Sequence, residues 1–264
     1  MKLLVQSDDY GFTKGVTLGI LDAIENGIIT CTGLFVNMGQ SSQFAADKMK
    51  EYPNTCFGID FNIVSGKCIA DPKLIPTLVD ENGYFIRSTV KYADPRFSKE
   101  GINGELWPYE ESLIEIRAQY QKFLELSNGR KPEYLHTHSI GAVGQDYVRA
   151  ISTLSQEVGV PFTRELRAKY KFGGMKGSWN VKPFTFENQM KTSALAYVEE
   201  HADEMLAFDY AVLGGHAGFL DSELFKWTTY TFIRCKDHEM YTSDFMKNWI
   251  KDNNVELISY RDLK

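Results

Sequence analysis

Short, continuous apolar runs alternate along this chain with longer stretches whose apolar residues recur every three or four positions. The runs at 2–6 (KLLVQ), 32–38 (TGLFVNM), 56–64 (CFGIDFNIV), 134–140 (YLHTHSI), 160–165 (VPFTRE), 209–218 (DYAVLGGHAG) and 255–260 (VELISY) predict strands, the 209–218 run ending in a loop. Helical periodicity covers 15–27, 41–52, 108–129, 145–159, 194–207 and 243–254. Boundary residues agree: Gly27 closes the first helix, serines open the second, and Pro108 and Gly129 bracket the third. The strands are continuously apolar, so both of their faces are expected to be buried, as in a parallel sheet covered by helices. The segment from about 66 to 108 breaks this rhythm, because Pro72, Pro76, Asp94-Pro95, Gly101 and Gly104 make it an irregular insertion over one face. No linker, internal repeat or low-complexity tract interrupts the chain, and residues 1–264 are expected to form one α/β domain.

Composition excludes some function classes. Lys and Arg number 29 against 35 Asp and Glu, a formal net charge of −6, so the basic footprint of a nucleic-acid binder is missing. The apolar run near the N-terminus has three residues, too few for a signal-peptide core, and polar residues punctuate the uncharged stretch between Glu25 and Asp47. A cytoplasmic protein without membrane attachment is expected. Cys31, Cys56, Cys68 and Cys235 form no CxxC element and read as buried free thiols. There is no GxGxxG and no P-loop, and 169–178 (KYKFGGMKGS) reads as a solvated loop.

In β/α folds, catalytic groups gather at the carboxyl ends of the strands. Here the first strand runs into Asp8-Asp9, the third carries Asp60 and Asn62, the fourth carries His136 and His138, and the late one leads to His216. Carboxylates and imidazoles without a cysteine suit Mg²⁺, Mn²⁺ or Zn²⁺ in an open site. Each residue also has a plainer reading. Asp8 or Asp9 could cap a helix, and one histidine could be a hydrogen-bonded core residue. His201 and His238 lie in polar or helical surroundings and are expected at the surface. Asp60, however, needs a partner inside an apolar strand, and His136 and His138, two apart, share one strand face. The conjunction points to a metal site.

The same residues make the chain resemble the YdjC-like carbohydrate deacetylases, which include chitooligosaccharide deacetylases. SDDYGFTKGVTLGI matches the family's opening Asp-Asp motif, GIDFNIVSGK stands at its Gly-x-His-x-Asn, and PEYLHTHSI at its Pro-x-x-x-Asp-x-His-x-His. VPFTRE, GGHAGFLDSEL and VELISYRDL match later landmarks, so the likeness runs from Asp8 to about Leu263. The resemblance implies a distorted TIM-like (β/α) barrel of the glycoside hydrolase/deacetylase type that binds a divalent metal and removes N-acetyl groups from sugars. By position it implies Asp9 and His138 as metal ligands, Asp8 as general base, His216 as general acid, and Arg164 near the site. Three positions depart: Asp60 replaces a ligand histidine, His136 replaces an aspartate, and Ile140 replaces a histidine.

The changes at 60 and 136 are reciprocal. If the two are neighbours, a carboxylate and an imidazole have traded places, leaving Asp9, Asp60 and His138 as expected ligands and His136 adjacent or an alternative. The extra carboxylate favours Mg²⁺ over Zn²⁺. The expected substrate is a small acetylated oligosaccharide, phosphorylated or not, with Trp107, Trp179 and Trp227 as candidates for stacking on sugar rings. A homodimer is compatible with the sequence. Two other classes stay open: a metal-free glycosidase using Asp8 and Asp60, and a non-catalytic sugar-binding descendant.

Overall fold

The computed structural model describes residues 1–93, 106–141 and 144–263. The chain runs β1 (Lys2–Tyr10), α1 (Lys14–Glu25), β2 (Cys31–Leu34), α2 (Gln40–Met49), β3 (Cys56–Phe61), α3 (Ser88–Ala93), α4 (Tyr109–Leu126), β4 (Leu135–Thr137) and α5 (Gln145–Val158). It continues with α6 (Thr163–Lys169), α7 (Phe186–Lys191), α8 (Ala194–His201), β5 (Tyr210–Gly215), α9 (Leu224–Trp227), α10 (Ile233–Thr242), α11 (Asp244–Asp252) and β6 (Glu256–Ile258). Local chemistry fixes several ends. Thr13 caps α1 by accepting from Val16 N–H, Ser243 caps α11 through Met246 N–H, and Gly159 ends α5 in the left-handed region.

All strand pairs are parallel, in the order β4-β3-β2-β1-β5, with β6 also on β1. Single parallel bridges extend the sheet at both edges, Leu135 to Phe162 beyond β4 and Ala211 to Gly173 beyond β5. The sheet is strongly curled. In a flat sheet β4 would lie three strand spacings, about 14 Å, from β1. Yet His136 Nε2 on β4 stands 3.5 Å from Asp8 Oδ2 on β1. Helix α6 spans from the Phe162 edge to the Gly173 edge, giving a barrel that strand pairing leaves unclosed there among the described residues.

Period two sorts the strand residues. Leu3, Val5, Phe57, Ile59, Leu135 and Leu213 face the helices in the main core. Leu4, Cys31, Cys56, Tyr134 and Ile258 fill the amino-terminal end of the concave side. Gln6, Asp8, Asp60 and His136 continue the same inward rows toward the carboxyl ends.

Several expectations change. The 160–165 run gives one bridge residue and then a helix, because Phe162 caps α6 in extended conformation. The 194–207 helix tightens into a 3₁₀ turn at Ala202–Ala207, and α7, α9 and α10 were not expected. Cys31 and Cys56 are buried, but Cys68 is half-buried and Cys235 exposed. In the 66–108 segment, antiparallel bridges Lys67–Tyr84 and Val79–Phe85 and the short α3 give the described part local order. Its Asp94-Pro95, Gly101 and Gly104 lie outside the described residues. No helix among the described residues is long and apolar enough to cross a membrane.

Candidate metal centre and active-site cleft

The concave side ends in a polar cluster assembled from β1, β3 and β4. Asp60 and His136 are direct Cα partners across the β3–β4 ladder, so the two reciprocal sequence departures occupy neighbouring places. One oxygen of Asp8, one of Asp60 and one ring nitrogen of His136 lie within 4.8 Å of one another. Space for Asp60 comes from β2. A Cβ on Gly33 would stand 1.9 Å from Asp60 Oδ1, so only glycine fits beside this carboxylate.

Asp9 is placed by a fault in the strand. The β1–β2 register shifts between Ser7 and Tyr10, and Asp9 adopts φ 72°, the left-handed region that aspartate tolerates better than most residues. This turns consecutive carboxylates toward different partners. Asp9 Oδ2 accepts from Arg234 Nη2 at 2.6 Å and Oδ1 meets His138 Nδ1 at 2.9 Å, while its N–H donates to Asp60 Oδ2 at 3.0 Å. Asp8 meets His136 and, at 4.0 Å, His216, and accepts from Gln6 Nε2.

The two histidines of the fourth-strand motif therefore diverge. His136 lies in β4 and turns to Asp8, with its Nδ1 at 2.7 Å from Thr163 Oγ1. The strand ends at Thr137, so His138 follows the turn and reaches Asp9 instead. Thus, among the described residues, the three groups with metal-like spacing are Asp8, Asp60 and His136, while Asp9 and His138 form a separate pair backed by Arg234. Arg164 is exposed on α6 and donates to Gly141 O, bracing the turn beyond His138.

Electrostatics follow this division. Burial raises the Asp8 carboxyl, but His136 and His216 outweigh it and bring its pKa down to about 2. Burial also opposes ionisation of Asp9, yet His138 and Arg234 hold it well below the ordinary carboxylate range. Asp60 goes the other way: burial first, then the Asp8 charge, push it well above that range despite the Asp9 N–H. Its Oδ1 is buried without a hydrogen-bond partner. Two carboxyls and an imidazole converge with one oxygen unanswered, a donor set that fits a divalent cation.

Asp9, His138, His216, Arg234 and Tyr230 line a cavity of about 300 Å³. It shares Phe12 and Trp227 with an outer compartment of about 610 Å³ that carries Lys14 and Lys67. On the other side it shares His216 and Tyr230 with a compartment of about 410 Å³ walled by Trp179 and Tyr197. Trp227 and Trp179 are thus on the cleft, whereas Trp107 is buried under Tyr92.

Sequence reasoning missed Arg234 and Asp237. Both lie on the buried face of α10, where Arg234, Asp237 and Tyr241 recur at helical spacing. Charged residues in such a stripe were the available signal. Asp237 accepts from His216 N–H at 2.8 Å and from Trp179 Nε1 at 2.9 Å, fixing the loop that carries His216. Burial raises its carboxyl, with His216 and these donors opposing. His201 pairs with Glu204 and His238 with Asp22; neither lines the cleft compartments, both are half-buried rather than fully at the surface, and His201 packs on Tyr197.

Comparisons with known proteins agree in direction. Carbohydrate deacetylase 2 of Listeria innocua is 30% identical over 100% of this chain and 99% of its own length. A chitooligosaccharide deacetylase of Escherichia fergusonii is 24% identical over 99% of this chain and 98% of its own. A crystal structure from Enterococcus faecalis, provisionally assigned as a cellobiose-phosphate cleavage protein, shares the fold with TM-score 0.77 at 21% identity, over 99% of this chain and 98% of that one. The family model described as YdjC-like protein matches residues 2–252, and the chain belongs to that family.

Proposed function

We propose that this protein is a divalent-metal-dependent carbohydrate N-deacetylase acting on a small acetylated oligosaccharide. The observation that carries the metal is the convergence of one ligand atom each from Asp8, Asp60 and His136 within 4.8 Å, in a pocket where Asp60 also keeps a buried oxygen without a hydrogen-bond partner. The reaction class is supported by the deacetylase relatives that span the whole chain.

In this reading Asp8, Asp60 and His136 would hold the ion, in place of the set Asp9, Asp60 and His138 expected from the family's Asp9 and His138 positions and the reciprocal change at 60 and 136. Two carboxylates with one imidazole favour Mg²⁺ or Mn²⁺ and remain compatible with Zn²⁺. The chemistry such an ion supplies is polarisation of the acetyl carbonyl and acidification of the attacking water. With Asp8 committed to the ion, the base role passes to His138. Asp9, held ionised with His138 Nδ1 at 2.9 Å from its Oδ1 and Arg234 on its Oδ2, fixes the imidazole from the Nδ1 side and leaves Nε2 to take a proton, the orienting logic of a carboxylate–imidazole pair. His216, on the same cavity with its loop fixed by Asp237, donates a proton to the leaving sugar nitrogen.

The compartments on either side favour an oligosaccharide over a monosaccharide. In the outer one the acids are already engaged, Asp221 by Gly15 N–H and Leu224 N–H and Glu223 by Lys226. Lys14 and Lys67 there suit a phosphate on the terminal sugar.

Acetate release from N,N′-diacetylchitobiose, assayed after EDTA treatment and after adding back Mg²⁺, tests the proposal. Release that needs the ion supports it. Sugar cleavage without acetate marks a glycosidase, and binding without turnover marks a sugar-binding protein.

A further inference from the structure

Beneath Asp8, on the inward row of β1, lies a buried polar group that the proposed reaction does not use. Gln6 is 1% exposed, and its Oε1 accepts from Arg167 Nη2 at 2.7 Å and from Tyr260 OH at 2.7 Å. Arg167 Nε donates to the same tyrosine oxygen at 2.8 Å. The set is directional. Arginine can only donate, and the tyrosine hydroxyl, having accepted from Arg167, has its own proton left for Gln6. Both donors therefore hold the glutamine oxygen on their side. The amide cannot flip, and Nε2 faces Asp8, where it donates to Oδ1. With that oxygen fixed, Asp8 presents Oδ2 to His136 and His216.

We infer that Arg167 is a positioning residue that acts through Gln6, fixing the amide so that the Asp8 carboxylate is held in one orientation ready to bind a cation. This rests on the reading of Asp8 as a metal ligand. The three contributors come from distant parts of the chain: Gln6 from β1, Arg167 from α6, and Tyr260 from the 3₁₀ turn after β6. Helix α6 spans the unpaired part of the barrel, so the element that bridges the sheet edges also delivers the positive charge under the site. A hydrogen-bonded support under a ligand is the kind of partner whose loss weakens metal sites by about 10- to 100-fold.

The test uses Arg167→Met, Gln6→Met, their double variant and the milder Tyr260→Phe, each first checked for folding by circular dichroism. Two readouts are needed. Metal-free crystal structures show the Asp8 orientation directly. In folded Arg167→Met or Tyr260→Phe the Gln6 amide is expected to reorient and Asp8 to rotate, and an unchanged Gln6–Asp8 pair in both variants overturns the inference. Calorimetric titration with Mg²⁺ and Mn²⁺ should show a loss of about 10- to 100-fold in Arg167→Met and in Gln6→Met, with no further loss in the double variant. Independent, additive losses would mean that Arg167 does not act through Gln6 and would overturn it too. A parent protein that binds neither ion refutes the metal reading, and the crystal structures still decide the relay. If Arg167→Met does not fold, Tyr260→Phe and Gln6→Met carry both readouts.

Discussion

Replacing Asp60 by Asn should stabilise the metal-free protein and abolish its response to divalent ions. The change is nearly isosteric. The Asn carbonyl oxygen can keep the contact with Asp9 N–H, now 3.0 Å from Asp60 Oδ2, while the amide nitrogen takes the place of the unpartnered Oδ1 beside Gly33. What disappears is one buried negative charge whose oxygen lies within 4.8 Å of an Asp8 oxygen. At an effective dielectric of about 20, two full charges at that distance repel by about 3.5 kcal/mol. The Asp9 N–H and the attraction of Arg167 offset part of this, and protonation of Asp60 relieves more. A net gain of about 1–2 kcal/mol is expected, a rise in Tm of roughly 2–8 °C for a chain of this size.

The pH dependence has a definite sign. Asp60 holds its proton in the fold above the pH at which the unfolded chain loses it, so its contribution falls as pH rises from about 4 through the raised folded value. The advantage of the Asn variant should therefore be smallest near pH 4 and grow toward neutrality. Addition of an ion at 100 times its Kd stabilises the parent by about 2.7 kcal/mol. That corresponds to roughly 5–10 °C in Tm, and the Asn variant should show almost none of it. Scanning calorimetry of EDTA-treated protein, with and without Mg²⁺, Mn²⁺ or Zn²⁺ at several pH values, measures both effects. An Asn variant that is less stable without metal, or that keeps the full metal shift, would refute the reasoning.

Three further outcomes are expected. Gly33→Ala puts a Cβ 1.9 Å from Asp60 Oδ1, so urea melts should show a loss of about 1–3 kcal/mol together with a weakened metal response. Arg234→Met leaves the Asp9 carboxylate buried without its permanent cation, facing only imidazoles, and should cost about 3–5 kcal/mol. Adding Asp9→Asn should return much of that, and a double-mutant cycle with no coupling would show that the pair is not the source. Asp60→His and His136→Asp should each reduce divalent affinity at least about tenfold, since even groups that only support a ligand typically carry that much, and the double exchange should recover part of it. Calorimetric titration of the four proteins checks this, and a double variant no better than the worse single denies the exchange.

Much of the architecture was legible because burial on both faces leaves a clear mark. KLLVQ and CFGIDF can be little else than strands of a covered parallel sheet, and Gln145–Val158 keeps its helical period to the glycine that ends it. What escaped was set by tertiary geometry. VPFTRE has a strand's composition, but only Phe162 pairs, because the next residues bridge the barrel as a helix. The residues of the site were legible by type, since Asp60 and His136 are polar groups at inward strand positions. Their grouping was not. That depends on the bulge that turns Asp9 from Asp8, and on β4 stopping at Thr137 so that His136 and His138 part company. Neither backbone event has a residue signature in SDDYG or LHTHS. The charges of α10 were visible only as a stripe whose burial could not be known before the helix packs on α1 and α8 and its side chains reach β1.

The register of β3 and β4 gives the reciprocal changes at 60 and 136 a physical meaning. Direct Cα partners on one face of a sheet share a single small volume, so a residue type lost at one can be supplied from the other with little change in what the face presents. The exchange conserves the local inventory of one carboxylate and one imidazole, and with Asp8 it conserves the charge offered to a cation. It does not conserve geometry. The smaller carboxylate now occupies the deeper place against Gly33 and takes the Asp9 N–H, while the imidazole is held from behind by Thr163. A histidine at 60 would have to displace the Asp9 contact or crowd the β2 backbone, and an aspartate at 136 would be too short to reach Thr163 in the same way. Each residue is thus fitted to its own side of the pair. Such coupling follows if both positions serve one shared site, and independent drift of two vacated positions would give no reason for it.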